Sequence, residues 1–191
     1  MAVPGRGDRR PLALEIREVD SSTAPAIAAA MGEEGDLVEA RMARGCRCFG
    51  VWLGEELAGY GWLSTKSEWI GEVELTLTPE AGEGYIWNCF TLERFRRRGV
   101  LRALLAGITE RAHSEGLRRL WIGSVAIPAE RAFGPSGFRP VLIFASELFA
   151  GYRWLGVSPV EAADPALVEA AHRVVGVPAG RFLRTSHPRR H

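Results

Sequence analysis

"ERFRRRGVLRALLAGI", residues Glu93–Ile108, decides how the rest of the chain is read. Arg94, Arg96, Arg97 and Arg98 crowd the turn, and Gly99 follows. Val100, Leu101, Leu104, Leu105, Ile108 and Ala112 then recur at helical spacing on a single stripe. The spacing predicts an amphipathic helix that starts just past Gly99 and stops at Gly116, a glycine suited to a helix C-terminus. Such a start suits an anion. The first amides of a helix have no carbonyl partner inside it, and the macrodipole places partial positive charge there. Gly99 removes the Cβ that would hold a ligand off the backbone. Flanking guanidiniums add charge-assisted hydrogen bonds to phosphate oxygens. A merely solvated turn and a nucleic-acid phosphate patch are the competing readings. The spacing matches neither the P-loop nor the dinucleotide-binding glycine pattern.

The totals make this cluster local. The chain has 191 residues, 47% of them apolar and 25% charged, with a net charge of +1. That length suits one domain with a sizeable core, and the balanced charge disfavours a nucleic-acid binder. Cys46, Cys48 and Cys89 are an odd three, and C-x-C without further ligands is not a zinc pattern, so no metal is expected. "MAVPGRGDRRP" is charged and rich in glycine and proline, with no apolar segment after it. It reads as a flexible leader over 1–11 and not as a signal peptide. No run approaches the roughly 18 apolar residues of a membrane span. A cytoplasmic, thiol-reduced setting is the expectation.

Outward from the decisive stretch, "EGYIWNCFTL" (Glu83–Leu92) reads as a central strand before the basic turn, and "LRRLWIGSV" (Leu117–Val125) as the strand after the helix. "EVELTLT" (Glu72–Thr78) alternates, with Val73, Leu75 and Leu77 on one face. "CRCFGVWLGEELAGYGWLS" (Cys46–Ser64) reads as a hairpin turning at Gly54, Glu55 and Glu56. Before it, "LALEIREV" (Leu12–Val19) is a half-buried strand. "APAIAAAM" is a helix capped from Ser21, Ser22 or Thr23, and "DLVEARMAR" is a second short helix. After it come a short helix at "PAERAF", a strand in "FRPVLIFASELFAGY", a helix at about Pro159–Val175 and a disordered tail, "RTSHPRRH". One mixed sheet with helices on its faces fits this order.

Arg96-Arg97-Arg98-Gly99-Val100-Leu101 resembles the pyrophosphate-binding signature of the GNAT superfamily of N-acetyltransferases, Q/R-x-x-G-x-G/A, and departs from it at Leu101. "AERAFGPSGF" (Ala129–Phe138) looks like that family's short helix ending in Gly-Phe. The resemblance covers Leu12 to about Val157. It implies a single mixed α/β (α+β) domain over 12–157, with a central, mostly antiparallel sheet of six to seven strands flanked by helices. A C-terminal helix and basic tail fill 158–191. It also implies acetyl-CoA as donor. Amides of Arg97, Arg98, Gly99, Val100, Leu101 and Arg102 would cradle the pyrophosphate, beside Arg96. Phe90, Thr91 and Leu92 would splay from the neighbouring strand and pair with pantetheine. Ala126, Ala129 and Phe133 would line the other side of the cofactor. Many members carry asparagine where Ala126 stands.

Acetyl transfer needs a deprotonated amine, a stabilised oxyanion and a departing thiolate. Family members often place a tyrosine where this chain has Phe133, which has no proton to give. A thiol pKa of about 8.5 makes thiolate a tolerable leaving group unaided, and Ser124 or a water is the alternative donor. Glu83 is the candidate base, against a loop-edge glutamate. Tyr85 is a candidate site residue, against a packed strand tyrosine. Cys89 falls on the face of Glu83 and Tyr85, where an acyl-cysteine route would need it. Of six tryptophans, Trp69 lies in a polar stretch and is the candidate for an acceptor-pocket wall or a dimer contact, core packing being the expectation for most of them. The resulting expectation is an N-acetyltransferase acting on a small-molecule or peptide amine, with no nucleic-acid or membrane partner and a homodimer left open. A non-catalytic acyl-CoA-binding module and a transferase of longer acyl chains are the rivals.

Overall fold

The computed structural model describes residues 13–124, 127–149 and 152–185; the expected leader, the end of the tail and Ala126 lie outside the described residues. The elements are β1 (Leu14–Glu18), α1 (Ala24–Met31), α2 (Leu37–Ala43), β2 (Arg47–Leu53), β3 (Glu56–Ser64), β4 (Glu68–Ile70), β5 (Leu75–Leu77), β6 (Glu83–Thr91), α3 (Val100–Ser114), β7 (Arg119–Ile122), α4 (Ile127–Phe133), β8 (Leu142–Phe149), β9 (Tyr152–Pro159), α5 (Pro165–Val175) and β10 (Gly180–Thr185). The class is mixed α+β, as the element order implies. The main sheet has five strands in the order β1-β2-β3-β6-β7, not six or seven. The remaining strands form a three-stranded sheet, β10-β9-β8, and a ribbon of β4 with β5. Both are antiparallel pairings between chain neighbours, for which loop closure costs less than a distant pairing.

The chain divides into two compact units. The first comprises residues up to Leu63 together with Trp87–Arg111. In it, β2 and β3 form the expected hairpin, and β1 pairs antiparallel with β2. Successive residues of β3 point to opposite faces. Tyr60 and Trp62 join Ile27, Val38 and Cys48 in a buried cluster against α1 and α2. Gly59 and Gly61 face α3 instead: a Cβ on Gly61 would lie 2.9 Å from Leu104, and one on Gly59 2.8 Å from Val100. Two alternate glycines therefore let α3 lie close to the strand. Val100, Leu104, Leu105, Ile108 and Ala112 are buried, and Leu101 is half-buried. Each large aliphatic side chain so buried contributes about 1.5–3 kcal/mol. Gly116 ends α3 in the left-handed region (φ 86°), and the Leu117 amide returns to the carbonyl of Ala112.

α1 spans the predicted residues, but its cap is different. The Asp20 carboxylate accepts from the amides and hydroxyls of Ser22 and Thr23, which lowers its pKa to about 2. Thr23, at the cap position, makes no side-chain bond to the helix.

The second unit comprises Ser64–Ile86 and the residues from Ala112 on. β6 and β7 pair in parallel from Glu83–Arg119 to Ile86–Ile122. The expected strand Glu72–Thr78 shortens to Leu75–Leu77, because Glu74 takes a positive φ of 52° and ends the alternation. Leu75 packs with Leu155 and Val157, and the Thr78 amide donates to the carbonyl of Val174 on α5. α5 begins at Pro165 and not near Pro159. Asp164 caps it by accepting from the Ala166 amide, with proline in the first turn, where its missing N–H is harmless. β10 extends into the stretch read as tail. No helix among the described residues is long and apolar enough to cross a membrane.

Candidate active site

The basic turn sits where β6 passes into α3. Arg97 and Gly99 both take left-handed φ, 61° and 81°. For an arginine that conformation costs about 1–3 kcal/mol, and such strain gathers at functional sites. Nothing lies within 4 Å of where a Cβ on Gly99 would stand. The glycine is therefore required by its dihedral, and it leaves the backbone open from outside. The first bond of α3 runs from the Ala103 amide to the carbonyl of Gly99. Val100, Leu101 and Arg102 therefore have no acceptor within the helix. No acidic residue stands in the first turn to oppose an anion.

The arginines divide by what they already hold. Arg94 pairs with Glu56 at 2.6 Å and lies over the Phe95 ring. Arg96 reaches Glu93 only at 3.9 Å. Arg98 lies over Phe95, 5.8 Å from its centroid. Arg97 and Arg102 are exposed and make no ion pair among the described residues. The cations open to a ligand are thus Arg97, Arg98 and Arg102, with Arg96 weakly held.

Phe90, Thr91 and Leu92 follow the part of β6 that pairs with β7, which ends at Ile86. Between the two stretches Asn88 has a φ of 45°, and it reverses the face of every residue after it. Trp87 stacks at 6.0 Å on Trp62, and Phe90 at 5.8 Å on Tyr60. Cys89 lies toward Gly61 on the α3 face instead. Cys89 therefore does not share a face with Trp87, as strict alternation would have it. Burial also pushes its thiol up to about 12, so it is neither placed nor ionised for an acyl-cysteine route.

The other candidates fall in the second unit. Glu83 is buried, and both carboxylate oxygens are engaged. Oε1 accepts from Arg119 at 2.6 Å, and Oε2 from the Trp121 indole at 2.7 Å and the Glu80 amide at 3.3 Å. This arrangement holds β7 against β6 and gives Glu83 a structural task. Tyr85 is buried next on the same strand, opposite Trp121 in the register, with its hydroxyl 3.8 Å from where a Cβ on Gly123 would be. Ser124 is half-buried just after β7, and Ala129 and Phe133 are half-buried on α4. The Phe133 ring packs 6.2 Å from Phe138, and Gly137 between them takes a left-handed φ of 89°.

The tryptophans split as well. Trp52 and Trp62 are core, Trp87, Trp121 and Trp154 are half-buried, and Trp69 is 60% exposed on the β4–β5 ribbon. The sequence reading missed Arg41, which is buried on α2 and lies 4.7 Å from the Trp87 ring. It stands three positions after Val38 on the inward stripe of α2, a place where a charge signals a specific partner. Tyr60, also buried, keeps its phenol neutral: burial and neighbouring acidic groups push it up to about 12.

A strand, a basic turn and a helix start with open amides, in a mixed α+β fold, make a turn suited to a phosphate-bearing ligand. The model of the acetyltransferase (GNAT) family matches residues 15–134. The chain belongs to the GNAT acetyltransferase family. Solved structures share its fold, three of them as follows. A probable acetyltransferase superposes with a TM-score of 0.54 at 15% identity, over 71% of this chain and 96% of that one. The aminoglycoside N-acetyltransferase AAC(6')-Iy, in complex with CoA, gives 0.53 at 16% identity, over 69% and 91%. Glucosamine-6-phosphate N-acetyltransferase from Arabidopsis thaliana gives 0.52 at 12% identity, over 72% and 99%. No curated protein sequence matches the chain.

Proposed function

We propose that this chain transfers an acetyl group from acetyl-CoA directly to a primary amine. The observation that carries this reading is the start of α3. Three amides without helical acceptors, a left-handed glycine under open space and uncommitted arginines form one turn suited to an anion. The fit extends along β6. Its pairing with β7 stops at Ile86, and Phe90–Leu92 follow, where a pantetheine arm would find strand groups to bond. In AAC(6')-Iy the same fold holds CoA, which supports the donor assignment.

When bound, acetyl-CoA supplies the activated acyl carbon; this chain positions it. The positive φ at Asn88 breaks the strand's alternation, and a backbone amide turned out there would suit the thioester oxygen as it gains charge. The thiolate leaves without a general acid at Phe133, which its modest basicity permits. The amine arrives neutral or gives its proton to water, since Glu83 is bound on both oxygens. Leu101 keeps its amide, and the amide is what the diphosphate needs.

A second reading rests on Phe133: a binding module that has lost its acid. Release of free thiol from acetyl-CoA with a panel of primary amines separates the two. The enzyme reading predicts turnover with at least one amine, falling about tenfold or more when Arg97 and Arg98 are reversed to glutamate. Tight binding without turnover supports the module, and no acetyl-CoA binding at all overturns both.

A further inference from the structure

Arg41 is a buried cation in an unusual setting. Its guanidinium lies 4.7 Å from the ring of Trp87 and 5.4 Å from that of Trp62. Its ion pair is with Glu34, at 2.8 Å, and the two partners differ in exposure: 11% for the arginine side chain and 58% for the glutamate. The Met31 sulfur stands 3.9 Å from Nη1. The indole N–H groups of Trp62 and Trp87 are both buried, and neither has an acceptor among the described residues. Trp62 is fully buried. Unmade buried donors are destabilising and call for an explanation. Here two of them accompany a guanidinium whose ion pair, among the described residues, is with the exposed carboxylate of Glu34. The cluster is rich in donors and short of acceptor oxygens.

Its place on the chain ties it to the reaction. Trp87 immediately precedes Asn88, and Tyr60 of the same cluster stacks on Phe90. If the donor's diphosphate sits at Gly99 and its arm follows Leu92 to Phe90, its reacting end comes to Asn88 and Trp87. An acceptor amine must stand beside that end. We infer that the acceptor carries a carboxylate as well as its amine, and that Arg41 with the indole N–H groups of Trp62 and Trp87 binds that carboxylate. This rests on the acetyl-transfer reading above. Glu34 occupies the guanidinium until the substrate displaces it. Such an exchange is cheap, because an ion pair with one exposed partner is weak, and Gly32, with a φ of 60°, and Gly35 flank the segment that must swing. A planar fork of donors suits a carboxylate better than a neutral amide.

The test uses the full chain with nitrogen-15-labelled indoles. N-acetylglycine, N-acetylalanine and N-acetylphenylalanine are titrated against their primary amides, with acetyl-CoA binding measured by calorimetry on the same samples. The acids are expected to shift the Trp62 and Trp87 indole resonances, and the amides are not. Arg41→Gln should weaken acid binding by about tenfold or more, Trp87→Phe, which keeps a ring and loses one donor, by several-fold, and Glu34→Gln should tighten it. In turnover, free amino acids should exceed their amides by about tenfold in kcat/KM, and Arg41→Gln should erase that preference. Acids and amides acting alike, or unchanged acid binding in both Arg41→Gln and Trp87→Phe, overturns the inference while acetyl transfer still stands. Absence of acetyl-CoA binding overturns the transfer reading and this inference together.

Discussion

Gly59→Ala tests how the fold positions the proposed donor site. The added Cβ would lie 2.6 Å from the carbonyl oxygen of Phe90 and 2.8 Å from Cγ1 of Val100. Unstrained contacts between such atoms lie near ~3.5 Å, so each overlap approaches about an ångström. Neither neighbour yields easily. The Phe90 oxygen is backbone, and Val100 is 2% exposed at the first position of α3, where a β-branched side chain has one favoured rotamer. Relief must come from moving β6 away from β3, or from lifting the start of α3. Overpacking of this kind costs about 1–3 kcal/mol. The lost freedom of glycine in the unfolded chain returns about 0.4–1 kcal/mol. A net loss of about 1–2 kcal/mol follows, or a fall in Tm of about 2–8 °C for a chain of this size. Both displaced segments are those proposed to hold acetyl-CoA, so its Kd should rise about tenfold. Circular dichroism melting and calorimetry give the two readouts. Gly134→Ala is the control, with nothing within 4 Å of its new methyl. An unchanged Tm together with unchanged acetyl-CoA affinity in Gly59→Ala would refute the reasoning.

Other predictions follow from buried groups. Glu83→Ala leaves Arg119 and the Trp121 indole without their acceptor; breaking a buried pair on one side should cost about 3 kcal/mol by denaturant titration, and a loss below about 1 kcal/mol would deny Glu83 its structural task. Cys48, Cys89 and Tyr60 are each pushed up to about 12, chiefly by burial. The folded chain then keeps protons that the unfolded chain releases, so stability is full below about pH 8.5 and falls as pH rises toward 12. Denaturant midpoints at pH 7, 9 and 10.5 should decline in that order, and a flat profile would contradict the burial of these groups.

The stripe from Val100 to Ala112 and the hairpin at Gly54 were legible because apolar period and turn chemistry agreed there. The basic turn was legible because charge, glycine and helix start coincided in one short segment. What escaped the reading depends on geometry that no period encodes. A positive φ at Asn88 inverts the faces of β6 and moves Cys89 away from Glu83 and Tyr85. Gly59 and Gly61 look like ordinary strand glycines until α3 is laid beside them. Glu83 reads as a free carboxylate, and only pairing with β7 brings Arg119 and Trp121 to it. Arg41 stands three positions after Val38 on the inward stripe of α2, and only the packed Trp62 and Trp87 rings show what it meets there. Asp164-Pro165 is the start signal of α5, a cap and proline pair that the apolar pattern from Pro159 does not reveal.

Calorimetric titration with CoA and with pantetheine, which lacks the diphosphate and nucleotide, most directly tests whether the turn at Gly99 holds the donor. The account predicts micromolar binding of CoA, pantetheine weaker by about a hundredfold or more, and most of that difference lost when Arg97, Arg98 and Arg102 are reversed to glutamate. Equal affinities for the two ligands, or a preference for CoA that survives the reversal, would contradict it.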